Sequence, residues 1–301
     1  ITYPLQKVQV ATSLNNLAEL YRYQGRYDQA EPLYQQALEL LKQQLGQNHP
    51  DVATSLDNRA VLYKSMGRYD QAEPLYVEAL EMRKQLLGQN HPDVATSLNN
   101  LANLYQSMGR YDEAEPLYQQ ALEITKQLLG QNHPDVATSL NNLALLYNSM
   151  GRYDQAEPLY VEALEMRKQL LGDDHPSVTT SLNNVAGLYY SMGRYDQAEP
   201  LFQHALEMRK QLLGQNHPDV AISLHNLAYL YQSMGRYDQA EPLYVQALEI
   251  AESKLGSNHR NTVTFRKNLE RLRDIRNNRG ILSNIRHKLG YFARFMPKTD
   301  Q

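Results

Sequence analysis

The sequence predicts an all-α solenoid of antiparallel helix pairs closed by a C-terminal capping helix, and three observations predict it. The loop histidines His49, His91, His133, His175, His217 and His259 recur every 42 residues. The GRY triplets that begin at Gly25, Gly67, Gly109, Gly151, Gly193 and Gly235 keep the same step. Between these markers the apolar residues fall at helical spacing. A fixed period of this size means units that bury their apolar faces against their neighbours. Six units of 42 residues follow, at 9–50, 51–92, 93–134, 135–176, 177–218 and 219–260, after a lead-in segment over 1–8.

The fourth unit serves for all. In "HPDVATSLNNLALLYNSMG" the residues Leu140, Leu143, Ala144, Tyr147 and Met150 lie on one face of a helix. Pro134 suits the first helical position and Asp135 the positive end of the helix dipole, so the start is marked. Gly151 marks the stop. In "YDQAEPLYVEALEMRKQLLG" the residues Ala156, Leu159, Tyr160, Ala163, Leu164 and Met166 or Arg167 repeat the pattern up to Gly172. Pro158 lies near the start of this second helix and costs at most one backbone hydrogen bond.

After His259 the pattern decays. Asn268, Leu269 and Leu272 keep register with Asn226, Leu227 and Leu230, but Glu270 replaces the small Ala228 and Arg273 the aromatic Tyr231. Charging positions that would receive a further hairpin predicts a capping helix over 261–279, since terminal repeats need a polar outer face. Residues 280–301 form a basic amphipathic C-terminal helix or tail, with Ile281, Ile285, Leu289, Phe292 and Phe295 along one side and Arg286, Lys288 and Arg294 on others. Its apolar side is expected to pack on the capping helix.

The small and aromatic residues Ala144, Tyr147, Gly151, Tyr153, Ala156, Tyr160 and Ala163, repeated in each unit apart from Phe202 in place of the last tyrosine, resemble those of the tetratricopeptide repeat (TPR). The 42-residue period and the linker "LGQNHPDVA" resemble the kinesin light chain variety, which also occurs in bacterial proteins. The resemblance covers about residues 9 to 270. It implies a right-handed TPR superhelical solenoid whose first helices line a concave groove. It carries no claim on a kinesin motor, because the heptad coiled coil that joins a light chain to its motor is missing.

Composition excludes several chemistries. There is no cysteine in the 301 residues, so disulfides, thiolate catalysis and cysteine-ligated zinc are ruled out. No GxxxxGK[ST], GxGxxG, HExxH or GxSxG occurs. The six loop histidines sit one per layer, about 10 Å apart, too far for shared ligation of a metal; helix-start geometry is their expected role. Tyr147, Tyr153 and Tyr160 read as packing residues. Neither catalysis nor a cofactor is expected, and no small-molecule substrate. From Ser257 onward 11 Lys and Arg face three acids, a local +8 that leaves −11 on the rest of a chain of net −3. With no long apolar run and no signal peptide the chain is expected to be cytoplasmic, and its start at Ile1 suggests part of a longer protein.

If Leu140, Leu143, Ala144 and Tyr147 face the core, then Thr138, Asn141, Asn142, Leu145, Asn148 and Ser149 form the neighbouring stripe, which the resemblance places in the groove. One asparagine of that stripe recurs in every unit and in the cap, as Asn16, Asn58, Asn100, Asn142, Asn184, Asn226 and Asn268. Its amide offers an acceptor and two donors, the complement of a peptide backbone. The same amides also suit hydrogen bonds between adjacent repeats, and the two roles can coexist. The residue before each varies more: Asn99, Asn141 and Asn183 against Asp57, His225 and Lys267. Three residues after the ladder the series reads Glu19, Val61, Asn103, Leu145, Gly187, Tyr229 and Arg271, and three further on Arg22, Lys64, Gln106, Asn148, Tyr190 and Gln232. Gly187 beside Tyr190 is expected to leave room for a bulky side chain.

The expected function is a non-catalytic scaffold that binds an extended peptide or protein segment in this groove. The alternative is a spacer or adaptor whose basic C-terminal helix targets an anionic surface, membrane or nucleic acid, or contacts its own groove. Membrane and nucleic acid are the less expected partners. Arg59 stands where Leu101 and Leu143 stand in other units, and the repeat pattern gives no reason for it.

Overall fold

A computed structural model describes the backbone of residues 2–293 and the side chains of residues 6–277. The described residues are helical, with helices in consecutive antiparallel pairs and no strand among them. The chain divides into two compact units, residues 1–193 and 194–301.

The first unit holds α1 (Thr2–Tyr23), α2 (Tyr27–Leu45), α3 (Pro50–Ser65), α4 (Tyr69–Leu87), α5 (Pro92–Ser107), α6 (Tyr111–Leu129), α7 (Pro134–Ser149), α8 (Tyr153–Leu171) and α9 (Pro176–Ser191). The second holds α10 (Tyr195–Leu213), α11 (Pro218–Ser233), α12 (Tyr237–Leu255) and α13 (Arg260–Ala293). Each odd-numbered helix packs on the even-numbered one that follows in its unit, and α1 also touches α3, α5 touches α7 and α7 touches α9. α1 takes in residues 2–8 together with the start of the first repeat. α13 passes through Gly280 without a break, so the backbone on both sides of the expected cap and tail boundary belongs to one helix. The amphipathic pattern of residues 280–301 lies outside the described side chains.

The helix ends follow from local chemistry. The histidines are N-caps: His49, His91, His133 and His217 accept from the backbone N–H two residues on, that of Asp51, Asp93, Asp135 and Asp219, through Nδ1 at 3.1–3.2 Å. His175 caps through the N–H of Ser177 at 3.1 Å and His259 through that of Asn261 at 3.2 Å. A ring nitrogen thus takes the place of the usual Ser, Thr or Asp oxygen. At the other end of each first helix the chain turns through a glycine: Gly67 has φ +73°, and the Arg68 N–H reaches back to Tyr63 O at 2.8 Å. This closure satisfies a carbonyl the helix would leave open, and only glycine adopts that φ without strain. Pro158 sits six residues into α8, where it forfeits one i to i−4 bond.

The core faces are those the periodicity marks. Leu140, Leu143, Ala144 and Tyr147 of α7 are buried, as are Ala156, Tyr160, Ala163, Leu164 and Met166 of α8. Layers of small alanines let helices approach, while one aromatic ring per second helix fills the space between them; Tyr34, Tyr76, Tyr118, Tyr160 and Tyr244 are almost wholly enclosed, and Phe202 takes this place in α10. Burial pushes the phenols of Tyr76, Tyr118 and Tyr160 well above their ordinary range, so they stay neutral packing elements.

Candidate binding groove

The stripe beside the core face is the part of each first helix left partly open. In the first unit Asn16 and Leu145 are exposed, Asn58, Asn99, Asn100, Asn103, Asn141, Asn142, Asn184 and Tyr190 are half-buried, and Asn183 is buried. In the second, Asn226 is half-buried and Tyr229 exposed.

The amides make two kinds of bond. Asn99 Nδ2 and Asn183 Nδ2 donate to their own helices, to Ala95 O at 3.0 Å and Thr179 O at 2.9 Å. Asn184 Nδ2 donates to Asn141 Oδ1 at 2.6 Å, from the second residue of one pair to the first residue of the pair in the preceding repeat. In the second unit Asn268 Nδ2 lies 2.8 Å from His225 Nε2, the same rung with an imidazole as acceptor. The paired residues therefore tie successive first helices together at these two steps. At the homologous positions Asn15, Asn99 and Asn183 an Oδ1 is buried with no partner, as is Asp57 Oδ1. Such acceptors cost free energy until a donor meets them.

The start of the groove is electrostatically closed. Arg22 forks onto Glu19 at 2.8 and 2.6 Å, and the Tyr34 hydroxyl donates to the same carboxylate at 2.6 Å. The Arg22 guanidinium holds the Glu19 carboxyl below its usual range. Further along, Gln106 Oε1 accepts from Tyr118 Oη at 3.1 Å, and Gln232 Oε1 from Tyr244 Oη at 3.0 Å. A Cβ at Gly187 would meet nothing within 4 Å, so the space there is open.

Two polar systems behind the groove are not evident from the sequence pattern. The first is a clamp between repeats. Tyr147 Oη donates to Glu115 Oε1 at 2.9 Å, Arg152 Nη1 donates to Glu115 Oε2 at 2.6 Å, and the guanidinium lies 4.4 Å from the centre of the Tyr147 ring. Tyr63, Glu31 and Arg68 repeat it, as do Tyr105, Glu73 and Arg110, and in the second unit Tyr231, Glu199 and Arg236. These arginines hold the Glu31, Glu115 and Glu199 carboxyls below their usual range. At the cap Arg273 takes the tyrosine's place: its Nε donates to Glu241 Oε1 at 2.9 Å, and Arg276 Nη1 adds a bond to Oε2 at 2.6 Å. The expectation that Arg273 charges a surface meant for a further hairpin is thereby corrected. This position looks back to the preceding second helix, because the tyrosine it replaces does so.

The second system is a set of arginines under the groove. Arg83 of α4 donates through Nη1 to Asp57 and Ser97 and through Nη2 to Thr54 Oγ1 at 3.2 Å. Arg167 of α8 donates to Ser181 Oγ at 2.6 Å and Thr138 Oγ1 at 3.1 Å. In the second unit Arg209 donates to Ser223 Oγ at 2.7 Å. Arg83 and Arg167 are 6% and 7% exposed, so each fork replaces its water with hydroxyls of the flanking first helices. Burial draws Arg167 and Arg209 down from the ordinary guanidinium range. The sequence signal for both systems exists, namely polar residues repeated at the 42-residue step, but on a single helix they look like a solvated face.

The tetratricopeptide repeat family model matches residues 9–85, 56–127, 93–169, 135–211, 177–253 and 219–279. Among solved structures, BtubC (BKLC) from P. vanneervenii is similar over 85% of this chain and 94% of its own, at 28% identity and a TM-score of 0.58. A protein of nearly identical TPR-like repeats from Podosopora anserina, assigned as a kinesin light chain, is similar over 68% of this chain and 98% of its own, at 28% identity and a TM-score of 0.56. A Rap protein complexed with competence and sporulation factor covers 96% of this chain and 94% of its own at 16% identity and a TM-score of 0.56, a likeness of fold alone. No curated protein matches. The chain belongs to the tetratricopeptide repeat family, and its resemblance is to the kinesin light chain type.

Proposed function

We propose that the chain is a non-catalytic cytoplasmic scaffold whose first helices bind an extended peptide or protein segment. The observation that carries this is the contrast along the stripe. The units are nearly copies of one another, yet the position three residues after the ladder asparagine changes from Asn103 to Leu145 to Tyr229. Leu145 and Tyr229 stand 38% and 39% exposed on helices most of whose other apolar residues are buried. Variation concentrated at open positions of a repeated helix is what a surface that reads a ligand's side chains requires. The amides beside them supply backbone donors and acceptors at about 1 kcal/mol net per bond. Several such bonds fall short of the roughly −8 kcal/mol of a micromolar complex, so the apolar contacts have to supply the rest.

A displayed random peptide library, selected on the whole chain, tests the reading. Selected peptides are expected to lose at least about tenfold in affinity on a Leu145→Glu chain, the scale of one buried apolar contact, with an unchanged circular dichroism spectrum. Peptides that bind both chains equally would place recognition elsewhere.

A further inference from the structure

The buried arginines mark a place where one of them is missing. Following the second helix and the first helix after it through the six layers, the facing pair reads Leu41 and Ser55, Arg83 and Ser97, Thr125 and Ser139, Arg167 and Ser181, Arg209 and Ser223, then Ala251 and Phe265. A long side chain occupies one member of every pair except the third. There Thr125 is short, and its hydroxyl is spent on Ala121 O of its own helix at 2.8 Å.

A cavity of about 250 Å³ lies at this point, between α5, α6 and α7. Its lining includes the hydrogen-bonding partners that a guanidinium has in the neighbouring layers. Ser139 stands to Thr125 as Ser97 stands to Arg83 and Ser181 to Arg167, fourteen residues on. Thr96 corresponds to Thr54 and Thr138, which bond Arg83 and Arg167. Asn99 corresponds to Asp57, the carboxylate that receives Arg83, and its Oδ1 is buried with no donor. The floor at Ala95, Thr125 and Ser139 is buried, while the rim at Thr96, Leu128, Asp135 and Thr138 is open to solvent. No basic side chain lines the cavity, and Asp135 stands at its mouth.

We propose that this cavity is a guanidinium pocket, which takes an arginine side chain of a bound peptide into the place that the protein's own arginines fill in adjacent layers. The planar fork would donate to Asn99 Oδ1, Ser139 Oγ and Thr96 Oγ1, an acceptor set that three intrinsic arginines already demonstrate in part. Leu128 and Leu129 give the methylene stem apolar contact, and the carboxylate of Asp135 together with the C-terminal end of α6 favours a cation. A lysine ammonium lacks the fork and is left with fewer of these bonds. That the arginine arrives on a peptide rests on the groove reading above; that the pocket accepts a guanidinium does not.

The test uses the whole chain and n-propylguanidine, with n-pentylamine as the ammonium control, followed by saturation-transfer difference NMR on the small molecule's own signals. Wild-type protein is expected to transfer saturation to propylguanidine several-fold more than to pentylamine. Thr125→Arg, which writes into the third layer the residue found at 83, 167 and 209, is expected to fold and to abolish the effect. Arg167→Thr is expected to open a second pocket and raise the signal about twofold. Equal signals from the two probes, or a Thr125→Arg chain that transfers as well as wild type, would overturn the proposal. Selected peptides are expected to carry an arginine whose change to lysine weakens binding at least about tenfold on wild type and not on Thr125→Arg. Propylguanidine binding as described, with peptides indifferent to Leu145→Glu, leaves the pocket standing and defeats the groove reading; the reverse pair of results defeats the pocket alone.

Discussion

At the scale of the residue, the polar exceptions turn out to be partners of something. Arg59 replaces a core leucine and donates through Nε and Nη2 to Tyr63 Oη at 3.2 and 2.8 Å, feeding the Glu31 clamp of its layer. Its acceptor Tyr63 lies one turn on in the same helix, but the glutamate that gives this pair its purpose, Glu31, lies on α2 and is out of reach of the helix's own pattern. Since Tyr63 still donates to Glu31 without it, Arg59→Leu is expected to raise stability by about 1 kcal/mol through added apolar burial, read as a higher denaturant midpoint. His225 makes a pH-dependent contribution. It stacks on Phe265 with ring centres 4.5 Å apart and offers Nε2 to Asn268, and burial lowers its pKa to about 4. Between pH 6.5 and about 4 the unfolded chain therefore binds a proton that the folded chain refuses, and stability falls as the pH falls through that window. The loss is at most about 3 kcal/mol. His225→Asn, which restores the residue of the other layers, is expected to flatten the acid limb of the stability profile by that amount.

At the scale of the element, the reading from sequence and the structure agree because the signals are local. A proline after a histidine, a glycine after a tyrosine-containing turn and an apolar face at helical spacing each act within a few residues, and each is visible in a string of letters. The N-cap role of the histidines belongs here, and His133→Ala is expected to cost about 1 kcal/mol without loss of helix count by circular dichroism. Gly151→Ala, at φ +72°, is expected to cost about the same through strain in the left-handed region. Legibility ends where partners are separated by a whole repeat. The clamp joins residues 32 and 37 positions apart, the asparagine rung 43, and nothing in a single helix's pattern distinguishes a clamped glutamate from a solvated one. The partly open stripe of each first helix is legible as a stripe in the sequence. The cavity at Thr125 is not, because an absence shows only once the neighbouring arginines are known to point inward.

At the scale of the whole molecule, the chain adds nearest-neighbour interfaces, and its stability is expected to follow from their number. Removal of residues 93–134, one full period, brings α4 up against α7, so that Arg83 meets Ser139 where it met Ser97. The shortened chain is expected to stay fully helical and cooperative, with a lower midpoint and no response to propylguanidine. Removal of only 93–113, half a period, is expected to yield an aggregating or partly folded product, seen by scanning calorimetry and size exclusion. A half-period product as stable as the full-period one would show that the interfaces are not matched in the way the clamp requires.

The clamp has a last consequence, which concerns inheritance more than stability. Glutamate, tyrosine and arginine recur with nearly the same neighbours in every unit, so an exchange of whole repeats between two copies of the chain leaves their spacing unchanged. Most products of such an exchange in an ordinary protein are lost to misfolding. Here each exchange in frame with the period joins a glutamate to a tyrosine and an arginine that fit it, so length can change in one generation while the fold survives. The open positions are then reshuffled in blocks, with Leu145, Tyr229 or the vacancy beside Thr125 moved, copied or erased as intact units, and with them the recognition proposed for that face.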